Sequence, residues 1–294
     1  MSRLSKYADP LTKPPLDESL YGLSPEEFDF FKAQTGIEDE DVMKRHIIAI
    51  QKKAYEIYGY PCIRTFSFTK LKIYRLPAYQ SALKLLSEHP DAILLDIGCC
   101  FGNDVRKAVA DGWPVRNVIA SDLVQGFWDL GHELFKSTPE TVPAAFIAGD
   151  AFDPNILAPG PPVDSVPQTP RPDLRSLTSL NPLQGRISVI HASSFFHLFG
   201  KERQEDLARR LATLLSPLPG SVIFGSHGGS TKPEYAEDGL AEHRLFRHSP
   251  ESWTELWDGN VFEKGKVKVE TRLKQVERPD SSLATLLVWS VTRQ

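Results

Sequence analysis

The sequence predicts an α/β fold, in which a mostly parallel sheet of seven strands ends in an antiparallel hairpin and carries an N-terminal helical cap. From residue 91 onward, short apolar runs alternate with amphipathic stretches, which indicates right-handed crossovers and a parallel sheet. Segments 266–276 and 283–293 alternate like strands and are joined by a short polar link, which predicts the hairpin. We therefore divide the chain into a tail and helical cap, 1–90, and a larger domain, 91–294.

Helical periodicity dominates the cap. A first helix should begin at Pro25, because Ser24 suits the N-cap position, and should end at Gly36. Apolar side chains recur every three or four positions over 39–58, which indicates a second helix. A third helix is expected over 77–88, just before the first strand.

Five short apolar runs predict the parallel strands of the larger domain. The strands are expected at 92–98, 115–123, 144–152, 187–193 and 221–227, with helices at 103–111, 125–135 and 201–215. Residues 154–182 interrupt this order and hold eight of the 23 prolines. Proline disrupts helices and central strands, so we expect a mobile insertion loop there.

Composition excludes several classes of protein. The 34 Lys+Arg and 38 Asp+Glu give a net charge of −4, which argues against a general nucleic-acid binder. No apolar run is long enough to span a membrane, and the N-terminus does not resemble a signal peptide. The three cysteines form no CxxC pair, which disfavours a zinc site and favours a reducing compartment. We expect a soluble, cytoplasmic protein that holds no metal.

The most informative segment is the turn after the first strand, Asp96-Ile97-Gly98-Cys99-Cys100-Phe101-Gly102. Glycine permits positive φ angles and a close approach of ligand to backbone, and the helix that follows offers unpaired N–H groups. This arrangement predicts a nucleotide-like ligand at the carboxyl ends of the strands. Dinucleotide-binding GxGxxG does not match, because Cys100 separates the glycines, and a P-loop does not match, because Asn103 follows Gly102.

This turn resembles the first motif of class I S-adenosylmethionine-dependent methyltransferases, D/E-x-G-x-G-x-G. Asp96, Gly98 and Gly102 match it, and Cys100 replaces the middle glycine. The resemblance implies a Rossmann-like class I methyltransferase fold with S-adenosyl-L-methionine as cofactor. It assigns Asp122 to the ribose hydroxyls and Asp150 to the adenine amino group. Further cofactor contacts are implied for Cys99, Leu123, Ala151, Phe152, His191 and Ala192.

Segments 57–68, 94–104, 118–123 and 248–257 resemble, more narrowly, fungal methyltransferases of meroterpenoid and polyketide–terpenoid biosynthesis. That resemblance implies methylation of a carboxylic acid on a small apolar intermediate. A phenol or other hydroxyl acceptor stays open, as do a cofactor-binding protein without turnover and a homodimer. A nicotinamide-dependent oxidoreductase is disfavoured because GxGxxG is absent.

Candidates on the substrate side are fewer. His191 and His197 are the candidates for proton transfer, because histidine exchanges a proton near neutral pH. A carboxylate acceptor is already ionised at pH 7 and needs no base, whereas a phenol would profit from one. Core packing explains Trp253 as well as a role as a lid over an apolar substrate does. His243 and His248 are interpreted as surface residues. Substrate contacts are expected from Tyr58, Arg64, Arg75, Phe196, His197, His227 and Trp253. Tyr58, Arg64, Lys72 and Arg75 belong to an aromatic–basic stretch before the first strand. This stretch is either a solvated amphipathic segment or a source of one cation for the cofactor's carboxylate and another for an acidic substrate, and the choice among its cations stays open.

Overall fold

The computed structural model describes residues 13–236, 245–277 and 282–294. Its strands are β1 (Ile93–Ile97), β2 (Val118–Asp122), β3 (Ala145–Ala148), β4 (Ile187–His191), β5 (Val222–Gly228), β6 (Glu234–Ala236), β7 (Leu245–Arg247), β8 (Val267–Glu277) and β9 (Leu283–Arg293). The main sheet has seven strands in the order β3-β2-β1-β4-β5-β9-β8. β1 to β5 run parallel, and β9 lies antiparallel between β5 and β8. The predicted sheet and terminal hairpin are confirmed.

The helices also follow the sequence closely. They are α1 (Pro25–Thr35), α2 (Glu40–Ile57), α3 (Pro61–Arg64), α4 (Pro77–Glu88), α5 (Asn103–Ala110), α6 (Gln125–Leu134), α7 (Lys201–Leu214) and α8 (Pro250–Trp257). Ser24 and Glu27 form a reciprocal capping box at the start of α1, and Gly36 ends it at φ 71°. The single turn of α3 was not predicted, because four residues are too few to show a helical period.

Three clusters of buried side chains hold these elements together. Alternate residues of β1 point to opposite faces of the sheet, as expected for a strand buried on both sides. Leu95 packs with α7 and α8 on one face, and Leu94 packs with α4 and α5 on the other. In the third cluster, Phe31 and Ile47 of the cap pack against Phe127 of α6. The cap therefore rests on the helix that follows β2.

Strand register determines which polar side chains meet at the edge of the sheet. Asp96 near the end of β1 lies opposite His191, the last residue of β4. Asp122, the last residue of β2, lies opposite Ala148 of β3. Parallel strands end at one common edge, so Asp96, Asp122 and His191 lie along that edge.

Residues 154–182 form the expected irregular insertion, but part of it is packed into the core. Leu157, Leu174 and Leu180 of this segment are buried in the same cluster as β1 and α7. Further along, the segment crosses the opposite edge of the sheet, where Arg171 donates to the carbonyls of Asp91 and Arg116. A proline-rich composition excludes regular structure but does not exclude packing, because its leucines still need burial.

Two further features complete the described chain. β6 and β7 form a short antiparallel pair that sequence patterning did not predict, and the residues between them lie outside the described part. Within the described residues, no helix is long and apolar enough to cross a membrane.

Candidate active site

The turn between β1 and α5 depends on three residues with positive φ: Gly98 (71°), Cys100 (51°) and Gly102 (70°). A Cβ on Gly98 would lie 2.8 Å from the Phe195 ring, and one on Gly102 would lie 2.5 Å from Trp128. Both glycines are therefore required by conformation and by space. Cys100 adopts a left-handed conformation that costs an ordinary residue about 1–2 kcal/mol. The backbone keeps the glycine-turn geometry although cysteine replaces the middle glycine.

Asp122 ties this turn to the start of α6. Its Oδ2 accepts the Cys100 N–H at 2.8 Å, and its Oδ1 accepts the Val124 N–H at 3.1 Å. Burial raises the pKa of Asp122, while these backbone donors act in the opposite direction. Because a carboxylate has about four acceptor sites, it can still receive two hydroxyl donors. Leu123, beside it, is exposed. The arrangement fits the ribose role implied for Asp122.

The end of β3 carries the second implied cofactor contact. Asp150 is exposed, and its Oδ1 accepts the Phe152 N–H at 2.9 Å in a local turn. Ala151 and Phe152 are buried. The Arg203 guanidinium lies 3.6 Å from the centroid of the Phe152 ring, so that ring is already packed by protein. The adenine assignments of these residues remain predictions.

A buried chain of hydrogen bonds joins the carboxyl ends of β1, β4 and β5. His191 Nδ1 lies 2.8 Å from Asp96 Oδ1, and His191 Nε2 lies 2.7 Å from Ser193 Oγ. Ser193 Oγ also accepts the Ser226 N–H at 3.2 Å. Although burial alone would lower the pKa of His191, the Asp96 carboxylate raises it. Both ring nitrogens of His191 therefore have protein partners. Ala192, next in the chain, is fully buried and donates its N–H to Phe224 O.

The backbone is strained at the residue that follows Ser193. Ser194 has a positive φ of 55°, and its N–H donates to Ser226 O at 2.7 Å. This turn places the Phe195 ring against Gly98, so close that a Cβ there would lie 2.8 Å from the ring. Non-glycine residues in this conformation cost roughly 1–3 kcal/mol and cluster at functional sites. The strained turn at the end of β4 therefore packs Phe195 against the glycine turn.

Asp104 completes an acidic group beside this chain. Its Oδ1 accepts the N–H groups of Lys72 and Ile73 at 2.8 and 2.9 Å. Asp96, Asp104 and His191 offer ligand atoms that lie within 4.8 Å of one another. Hydrogen bonds within the protein account for this arrangement without an ion, and the absence of a metal remains a prediction.

His227 and Trp253, both predicted to contact the substrate, are buried in the protein core. The Trp289 indole donates to His227 Nδ1 at 3.0 Å, and the Trp253 ring lies 4.7 Å from the His227 ring. Phe196 packs edge-on against Trp253. Burial lowers the pKa of His227 well below its usual value, so the ring is neutral. These three predicted substrate contacts are buried and pack against one another, while His197 is half-buried.

One histidine interpretation was wrong. His248 is 2% exposed and bonds Ser252 Oγ through Nδ1 at 2.9 Å, so it is not a surface residue. Burial lowers its pKa to about 4. Sequence spacing could not reveal this, because its burial depends on the contact with Trp253. His243 lies outside the described residues.

The basic residues of the cap differ in where they point. Arg64 Nε donates to Pro15 O, and Arg75 bonds Glu27 and Tyr74, so both have partners within the cap. Lys72 is half-buried and bonds Asp104 through its backbone, next to the chain of Asp96. Tyr58 is buried against Tyr60.

Sequence reasoning did not single out Tyr60, Ser193 or Ser226. Burial and, to a lesser degree, the charge of Asp122 raise the pKa of Tyr60. The positions of Ser193 and Ser226 after two adjacent strand ends were the available signal.

Comparison with known proteins identifies the family. A family model described as the meroterpenoid methyltransferase N-terminal domain matches residues 16–69. O-methyltransferase phiE of a fungal species (strain ATCC 74256) is 34% identical over 79% of this chain and 69% of its own length. The chain belongs to this family of fungal O-methyltransferases. The Asnovolin E/Chermesin D methyltransferase nvfJ of Aspergillus novofumigatus is 30% identical over 85% of this chain and 82% of its own.

Among solved structures, the 1,6-didemethyltoxoflavin-N1-methyltransferase of Burkholderia thailandensis, determined with S-adenosylhomocysteine, has a TM-score of 0.49. It is 15% identical and covers 93% of this chain and 92% of its own.

Proposed function

We propose that this methyltransferase uses S-adenosylmethionine to esterify a carboxylate on a small apolar secondary-metabolite acid. When bound, the cofactor supplies an electrophilic methyl group on a sulfonium. The turn of Gly98 and Gly102, with the Asp122 carboxylate beside it, would hold the cofactor. Family membership supports the methyl transfer, and the hydrogen bonds of Asp96, His191 and Ser193 support the choice of acceptor.

The observation that carries the carboxyl assignment is the bonding of His191. Both of its ring nitrogens already bond to protein partners, Asp96 and Ser193. A histidine held in this way orients the β4 end and is not set to take a proton directly from an acceptor. A carboxylate acceptor is ionised at neutral pH and requires no base. The protein then has to align the acceptor oxygen with the methyl group and exclude water.

The same chain supports one alternative, a hydroxyl acceptor. Ser193 Oγ lies at the end of the Asp96–His191 pair, so a proton from a hydroxyl could pass through Ser193 to His191. A phenol would gain from such a relay, because its pKa of about 10 leaves it protonated at pH 7.

Product chemistry separates these acceptors. The purified protein would be incubated with methyl-labelled S-adenosylmethionine and size-matched aromatic acids and phenols. Carboxyl methylation gives a product that mild base hydrolyses to labelled methanol, whereas an aryl ether survives. We expect label release, and Ser193→Ala should retain the rate within a few-fold. Base-stable product, together with a large loss of rate in Ser193→Ala, would replace the carboxyl assignment with the hydroxyl alternative.

A further inference from the structure

Lys72 differs from the other basic residues near the glycine turn. Its backbone N–H bonds Asp104, whose ligand atoms lie within 4.8 Å of those of Asp96 and His191. Among the described residues, no hydrogen bond or ion pair holds its ammonium group. Its side chain is half-buried, so the charge is neither fully solvated nor neutralised by a fixed partner.

The electrostatics of the neighbouring groups agree with a place for the Lys72 charge beside the strand ends. Burial raises the pKa values of Asp96 and Cys100, and the Lys72 ammonium acts against both shifts. The same ammonium acts against the rise in the pKa of His191. These three groups belong to β1, to the glycine turn and to β4, respectively. This agrees with the backbone bond of Lys72 to Asp104, beside Asp96 and His191.

Neighbouring cations do not compete for this role. Lys70 pairs with the fully buried Glu27 at 2.7 Å, and Arg75 bonds the same carboxylate at 3.1 Å. Arg64 donates to Pro15 O at the outer surface of the cap. Each of these three has a structural partner away from the strand ends.

We propose that Lys72 binds a carboxylate beside the carboxyl ends of β1 and β4, either that of the cofactor's methionine part or that of the acid acceptor. The inference deepens the proposed function, and its acceptor form rests on that function. An ammonium group with no fixed partner can form a charge-assisted hydrogen bond with either carboxylate. Backbone anchoring through Asp104 fixes the base of the side chain and leaves its end free to reach the ligand.

Two ligands that differ in the carboxylate test the cofactor form. S-adenosylhomocysteine carries the amino-acid carboxylate, and 5′-methylthioadenosine lacks it. If Lys72 binds this group, Lys72→Met should weaken S-adenosylhomocysteine binding by about 10- to 100-fold, as expected for one hydrogen bond to a charged group. Binding of 5′-methylthioadenosine should not change. Lys72→Arg should restore part of the affinity, and Lys84→Met on exposed α4 surface is the matched control.

The acceptor form predicts a different pattern. Lys72→Met then leaves S-adenosylhomocysteine affinity unchanged and raises KM for aromatic acids by a similar factor, with little change in kcat. If neither the affinity nor this KM changes, the inference is wrong. If the wild-type protein esterifies none of the acids, the proposed function and the acceptor form fail together. The cofactor form is then tested by S-adenosylhomocysteine binding alone, and unchanged affinity in Lys72→Met would overturn it.

Discussion

The pair of Asp96 and His191 makes the sharpest stability prediction. The two residues are 3% and 1% exposed, and His191 Nδ1 lies 2.8 Å from Asp96 Oδ1. Replacing His191 with alanine leaves the Asp96 carboxyl buried without its main partner, and breaking such a pair costs about 3–5 kcal/mol. Changing Asp96 to asparagine in the same variant removes the buried charge. Asp96→Asn/His191→Ala should therefore be more stable than His191→Ala by at least about 1 kcal/mol.

Urea denaturation at pH 7, followed by tryptophan fluorescence, measures the free energy of unfolding of each variant. Asp129→Asn in the His191→Ala background is the control, because Asp129 is exposed on α6 and should change stability by less than about 0.5 kcal/mol. The reasoning is refuted if His191→Ala costs less than about 1 kcal/mol. It is also refuted if Asp96→Asn lowers the stability of the His191→Ala protein further.

Three other predictions concern the turn, its carboxylate and a buried histidine. Asp122→Ala should weaken S-adenosylhomocysteine binding in calorimetric titration by about 1–3 kcal/mol, the scale of hydrogen bonds to a charged group; unchanged affinity in a folded variant would remove the ribose assignment. His248 has a pKa of about 4 against 6.5 when unfolded, so its contribution to stability is present above pH 6.5 and is lost as pH falls, by about 3 kcal/mol at pH 4. His248→Gln should flatten that part of the Tm–pH curve, and an unchanged slope would contradict the assignment. Cys100→Gly removes the cost of the left-handed conformation, about 1–2 kcal/mol, but adds chain entropy in the unfolded state that costs about 0.5–1 kcal/mol. Its free energy of unfolding in urea should therefore stay within about 1 kcal/mol of wild type. Cys100→Val, with a β-branched side chain at positive φ, should be clearly less stable, and equal losses in both variants would count against strain at Cys100.

Local sequence signals were sufficient for the sheet. Each parallel strand is a short apolar run that ends at a polar residue, and the crossover rule orders the strands. The cap of α1 was equally readable, because Ser24, Pro25 and Gly36 are typical helix boundaries.

Contacts that depend on register and on irregular turns could not be predicted. Asp96 and His191 meet because β1 and β4 pair in one particular register, which composition does not encode. The basic stretch runs through short 3₁₀ turns around Ser67–Thr69 and Ile73–Arg75, which have no clear periodicity. Sequence reasoning therefore left Arg64, Lys72 and Arg75 as equal candidates for an acidic ligand, while the partners of Arg64 and Arg75 in the structure direct attention to Lys72.

In the proposed reaction, the cofactor binds at the carboxyl ends of the strands, beside the Gly98–Gly102 turn and Asp122. Calorimetric titration of the purified wild-type protein with S-adenosylhomocysteine tests this, with NAD as the comparison ligand. We predict micromolar binding of S-adenosylhomocysteine and none of NAD. Folded protein that binds no S-adenosylhomocysteine would contradict the assignment of the Gly98–Gly102 turn and Asp122, and with it the proposed reaction.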